Sequence, residues 1–160
     1  MSIQTIDESL IGFFKRIWMP AARISLFVIF FWFGMLKVIG QSPASEVVEN
    51  LFSQTIPFMA FPTFLILFGL FECLIGVLFL IKGAERVVIP LLVIHMITTF
   101  MPLYFLKSEM WSGMFIPTLE GQYVIKNLVI IATAIGIAAN LTPMGAKNTA
   151  PKSASRSIYS

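Results

Sequence analysis

The chain has 160 residues, of which 58% are Ala, Val, Ile, Leu, Met, Phe, Trp, Tyr or Cys and only 12% are charged, with a mean hydropathy of +0.89. Soluble domains carry about twice that charged fraction, and sixteen Phe, nine Met and three Trp are more large apolar side chains than so short a chain can bury against itself, so lipid has to cover many of them. The formal charge of +3 does not point to nucleic acid, because the basic residues sit at the ends of apolar runs and read as orientation signals.

Residues Ile3 to Met19 place Ile6, Leu10, Phe13, Phe14, Ile17 and Trp18 toward one side, opposite Asp7, Glu8, Lys15 and Arg16. That pattern predicts an amphipathic interfacial helix ending at Pro20. Four apolar runs of the roughly 20 residues needed to cross a bilayer follow: Ala22 to Gly40, Ala60 to Ile81, Val87 to Leu106 and Tyr123 to Leu141. Lys15, Arg16 and Arg23 flank the first run as in a signal peptide, but no A-x-A-like cleavage site follows, so an uncleaved helix is expected. Between the first two runs, Ser42-Pro43-Ala44-Ser45-Glu46 resembles a helix start, and Val47, Val48, Leu51, Phe52 and Ile56 give a partly apolar face, predicting a short helix on the membrane surface. Lys82-Gly-Ala-Glu-Arg86 reads as a tight hairpin between the second and third runs. The tail from Pro143 is rich in Ser, Ala and Lys without apolar period and is expected to be disordered.

The expected fold class is therefore all-α: an integral membrane four-helix bundle with an N-terminal amphipathic interfacial helix. Its parts are the amphipathic segment 1–20, the transmembrane domain 21–142 and the tail 143–160. Lys15, Arg16, Arg23, Lys82, Arg86, Lys147, Lys152 and Arg156 fall on one side, and Lys37, Lys107 and Lys126 on the other. The side richer in Lys and Arg is the cytoplasmic one, which puts both termini in the cytoplasm.

Cys73 is the sole cysteine and His95 the sole histidine, which excludes an intrachain disulfide, a C-x-x-C redox motif, a cysteine zinc site and bis-His haem ligation; no metal site is expected. The candidate ligand-binding residues are the polar groups at membrane depth: Glu72, His95, Lys37, Lys126 and Asn127. Helix rise puts Glu72 and His95 near their helix midpoints, where they could meet, and puts Lys37 and Lys126 roughly 10 Å further out. Each has a plainer reading as well. Glu72 and His95 could satisfy one another as a structural pair, and the two lysines could snorkel to the interface. Gly69, Glu72, Cys73 and Gly76 share one helix face, as do Gly34 and Lys37, so close helix approach is expected at both. His95, Thr98, Thr99 and Pro102 form a polar strip, and Pro102 leaves the Thr98 carbonyl without its normal donor.

Three stretches resemble the DoxX-like family of small four-helix membrane proteins, including its YkgB-type inner-membrane branch linked to reactive chlorine stress. They are Phe-Trp-Phe-Gly34-Met-Leu-Lys37, Phe-Glu72-Cys-Leu-Ile-Gly76 and, most specific of the three, Glu120-Gly121-Gln122-Tyr123-Val-Ile-Lys126-Asn127. The resemblance covers roughly Ala22 to Leu141. It implies a multi-pass bundle in the bacterial cytoplasmic (inner) membrane and, from the subunit that names the family, association with quinol oxidase or thiosulfate to quinone electron transfer. The expectation that follows is a redox-linked or accessory subunit of a larger respiratory or redox membrane complex, binding a quinone or another small molecule, with the lipid bilayer as its other partner and no nucleic acid. Two alternatives stay open. One is a small-solute or proton transporter or channel, which with four helices would favour a homo-oligomer; the other is a purely structural subunit.

Overall fold

The computed structural model describes residues 2–56 and 58–144, so the expected disordered tail lies, from Gly145 onward, outside the described residues. Helix α1 spans Ile3–Val38, 36 residues or about 54 Å of rise, with the Ser2 hydroxyl accepting from the Thr5 amide at its start. It runs unbroken through Pro20, which corrects the expectation of a separate helix ending there. A helix-interior proline forfeits one backbone bond, at a cost of about 3 kcal/mol. Packing on both sides of Pro20 offsets it: Trp18 lies against Gly136, and Ala22 is buried in the core. Before Ile17 every described residue of α1 is exposed, Ile3, Ile11 and Phe14 included. The segment is the free end of a long helix rather than a clearly amphipathic element.

Helix α2 (Ser45–Thr55) occupies the stretch where the sequence predicts a short helix. Helices α3 (Phe61–Leu80) and α4 (Glu85–Phe100) are joined by a tight turn in which Gly83 adopts φ +94°, a backbone region that disfavours residues with a Cβ. The third apolar run breaks at Met101, whose amide bonds back to the Thr98 carbonyl at 3.3 Å and supplies the donor that Pro102 lacks. The chain continues as α5 (Pro102–Phe105), α6 (Lys107–Met110) and a small antiparallel hairpin, β1 (Trp111–Gly113) with β2 (Ile116–Pro117), that the sequence pattern did not foretell. The last run is α7 (Leu119–Lys126) and α8 (Leu128–Ala139), which meet at Asn127.

Among the described residues, four helical stretches are long and apolar enough to cross a membrane: Ile3–Val38, Phe61–Leu80, Glu85–Phe105 and Leu119–Ala139. Contacts close a ring among them, α1 on α3, α3 on α4, α4 on α8 and α8 on α1. Inside it lie Leu26 and Phe30, Ile75 and Phe79, Val88, Leu92 and Met96, and Ile130, Ala134 and Ile137. The α1–α3 contact is backbone against backbone. A Cβ built on Gly34 would lie 2.6 Å from the Gly69 carbonyl oxygen, one on Gly69 would lie 2.6 Å from the Gly34 oxygen, and one on Gly76 would lie 2.9 Å from the Phe31 amide. At the α3–α4 hairpin, Arg23 pairs with the Glu85 carboxylate and donates to the Phe79 carbonyl at 3.1 Å. At the opposite end α2, α6 and the β-hairpin make a cap. There Phe52 packs on Phe61 and Phe64, and Asn50 donates to Glu109 at 3.1 Å.

Candidate functional site

Gly34 and Gly69 mark the level at which α1 and α3 touch, and the next turn of each helix carries an ionisable residue, Lys37 and Glu72. The glycines make the meeting feasible. A Cβ on Gly69 would lie 2.9 Å from Lys37 Cβ, so its absence leaves room for the lysine stem to run along α3. The stem carries Lys37 Nζ to Glu72 Oε2 at 2.6 Å. Glu72 Oε1 faces His95 Nε2 from α4 at 2.8 Å. A carboxylate that accepts from both sides thus ties three helices together. Lys37, Glu72 and His95 are 6%, 5% and 5% exposed, so the cluster is almost wholly withdrawn from the surface.

The cluster is wrapped in aromatic rings. Phe68 stacks on the His95 imidazole with centroids 5.2 Å apart and planes at 5°, and Phe30 meets the imidazole at 84° and 5.2 Å. Lys37 Nζ sits 5.6 Å from the Phe68 centroid, so one ring serves both basic groups. On α4, Thr98 Oγ1 donates to the His95 carbonyl at 2.7 Å, while Thr99 Oγ1 lies 3.2 Å from His95 Nδ1 and 2.9 Å from the same carbonyl. Among the described residues no buried side-chain nitrogen or oxygen lacks a hydrogen-bond partner. The low local dielectric makes such completeness matter, because an orphaned polar group there costs its full desolvation.

Of the five residues singled out in the sequence, the structure brings three together. Glu72 and His95 meet, as their similar levels along the helices allow. Lys37 joins them instead of standing above them; its stem bends inward to the carboxylate and does not snorkel out. Lys126 is exposed, its Nζ 5.3 Å from the Tyr123 ring, and Asn127 turns its amide onto the Tyr123 and Val124 carbonyls at 3.1 Å each. Neither reaches the cluster, so the tier in which Lys126 faces Lys37 is not formed. The Arg23–Glu85 pair escaped the sequence reading. Its signal was an acid in the hairpin beside Arg86, with Arg23 at the same end of the first run, though 62 residues separate the partners.

A second feature lies on the reverse face of α4. Leu92 and Met96, flanking His95 in sequence, line a groove of about 680 Å³ between α4–α5 and α8. It runs from Ile89 to Phe105, with Ile131, Ala134, Ile135 and Ala138 along the other side. The residues that line it are apolar apart from Tyr104, an exposed side chain whose ring lies 5.0 Å from Lys107 Nζ. Among the described residues no three His, Cys, Asp or Glu side chains gather around a common point where an ion could sit. No protein-family model, curated protein or solved structure matches the chain.

Proposed function

We propose that the chain is a DoxX-like four-helix bundle of the bacterial inner membrane, with both termini cytoplasmic, acting as a redox-linked or accessory subunit that holds a quinone or another hydrophobic small molecule against its helices. The α4–α8 groove carries this reading. Its volume of about 680 Å³ falls inside the range of small-molecule sites, roughly 300–1,000 Å³, and an apolar lining with Tyr104 near one end suits an apolar body with a polar head. The ionisable groups of the cluster play a different part from the one expected of them. Glu72, His95 and Lys37 are paired with one another and sit across α4 from the groove, so they fasten helices and leave the Tyr104 end to meet a head group.

Mass spectrometry of gently purified protein tests the proposal, reporting bound small molecules and co-purifying subunits together. A quinone or comparable amphiphile is expected, and Ala138→Phe, which narrows the groove from a half-buried position outside the core, is expected to remove it while helical content stays unchanged. Protein that arrives with neither ligand nor partner overturns the reading. Solute flux in liposomes would favour the transporter alternative. The self-contained cluster favours a second reading, a structural subunit of a larger membrane complex, for which partners without any ligand are the expected result.

A further inference from the structure

Fastening the helices uses two of the three polar contacts of the cluster and leaves His95 Nδ1 without a part to play. Because an ionised carboxylate only accepts, the 2.8 Å contact with Glu72 Oε1 fixes the proton of a neutral imidazole on Nε2 and makes Nδ1 a bare acceptor. The group facing Nδ1 is Thr99 Oγ1 at 3.2 Å, and that oxygen is also 2.9 Å from the His95 carbonyl. One hydroxyl with a single hydrogen stands between two acceptors. The carbonyl does not depend on it, since Thr98 Oγ1 already donates there at 2.7 Å.

Two complete hydrogen-bond patterns follow from the same heavy-atom positions. In the first, the Thr99 hydroxyl donates to Nδ1 of a neutral imidazole. In the second, Nδ1 carries a proton and donates to Thr99 Oγ1, whose hydrogen swings to the His95 carbonyl. Only hydrogens move between them, and neither pattern leaves a buried donor unpaired. We propose that His95 is a proton-binding site built into the apolar interior, with Thr99 as the residue that positions it. A proton from the aqueous phase adds to the Nδ1 lone pair, no other bond is made or broken, and the charge of the cluster rises by one.

Burial works against an added charge, and the neighbouring groups set against it are few and specific. From α3 the Glu72 carboxylate faces the imidazole directly and stands between it and the ammonium of Lys37 from α1, so the two cations are bridged by an anion. Cys73, beside Glu72, adds a thiol on the same helix. The buried core residues of α8 are Ile130, Ala134 and Ile137, none of them titratable. Phe68, stacked on the imidazole, offers a π face to the imidazolium as it does to Lys37. The site does not depend on what the groove across α4 holds.

A single histidine in the chain makes the test direct, because ¹⁵N-histidine labelling reports His95 alone. In lipid, nitrogen NMR followed across a pH range should show Nε2 protonated throughout and Nδ1 passing reversibly from bare to protonated. Thr99→Val keeps the branched shape and removes the hydroxyl, so an imidazolium would leave its Nδ1 proton unpaired; about tenfold more acid should then be needed. Thr99→Ser should restore the wild-type behaviour. The proposal is overturned if Nδ1 keeps one state across the range, if the alkaline form carries its proton on Nδ1, or if Thr99→Val titrates with the wild type. The wild-type titration decides the matter alone should Thr99→Val not fold.

Discussion

Glu72 is the residue on which the interior turns, since each of its oxygens holds a different helix through a different base. Removing one partner of a buried ion pair costs about 3–5 kcal/mol, most of it from the charge left behind. Glu72→Leu strands both Lys37 and His95 and should fall in that range, whereas Glu72→Gln keeps an acceptor for one of them and should cost less. The double variant Lys37→Met with Glu72→Leu removes charge and countercharge together and should recover part of the loss. Thermal unfolding in one detergent, compared across the three, checks the order; equal and negligible effects would dissolve the pairing. The Glu72–His95 contact was legible from the sequence because counting helix rise locates backbone levels, and these two side chains are short enough to stay near theirs. Lys37 was not. Its backbone lies further out, as counting says, but four methylenes reach the carboxylate where Gly69 leaves the way clear. The same flexibility took Lys126 the other way, onto Tyr123.

Helix α1 meets α3 through glycines, and this contact sets the level of the cluster. Ala at Gly34 would bring its Cβ within 2.6 Å of a backbone oxygen and 2.8 Å of the Cys73 amide, neither of which yields without parting the helices. Gly34→Ala and Gly69→Ala should therefore each destabilise by about 1–3 kcal/mol, the usual range for overpacking. Both should also loosen the Lys37–Glu72 pair. Gly12 is the internal control: nothing lies within 4 Å of a Cβ there, and Ala is the better helix former by about 0.5–1 kcal/mol, so Gly12→Ala should be neutral or stabilising. Chemical denaturation of the three variants checks the contrast. Small residues at helical spacing announced this contact in the sequence. Pro20 misled for a physical reason, since local rules read it as a helix end while Trp18 and Ala22 hold the chain helical across it. The Glu120-to-Asn127 motif also has a plainer task than its specificity suggested. Thr118 caps α7, and a Cβ on Gly121 would collide with the Met110 carbonyl, so part of the motif seats α7 on the cap.

For the whole molecule, the ring of four helices returns the chain to the side on which it starts, and the basic residues gather accordingly. Arg23, Lys82 and Arg86 lie about the α3–α4 hairpin, with Arg86 donating to the Thr142 carbonyl at 2.7 Å where the last helix ends. Lys15 and Arg16 lie on the projecting start of α1 at that same end. Lys107 and Lys126 belong to the opposite end, with the cap, and Lys37 is neutralised in the interior by Glu72. The charge bias between the ends is thus steeper in the folded protein than a count of the sequence suggests, because the outermost basic residue of α1 does not face solvent. On the orientation proposed above, in which cytoplasmic loops carry the excess of Lys and Arg, the hairpin would lie inside and the cap outside. A reporter fused after Ser160 should read cytoplasmic, one inserted at Glu49, exposed on α2, should read external, and one inserted at Gly83 should read cytoplasmic. Adding basic residues to the cap at Glu46 and Glu49 should weaken this preference, and neutralising Lys107 should not. An external reading at Ser160 together with a cytoplasmic one at Glu49 would invert the molecule and move the Tyr104 end of the groove to the cytoplasmic face.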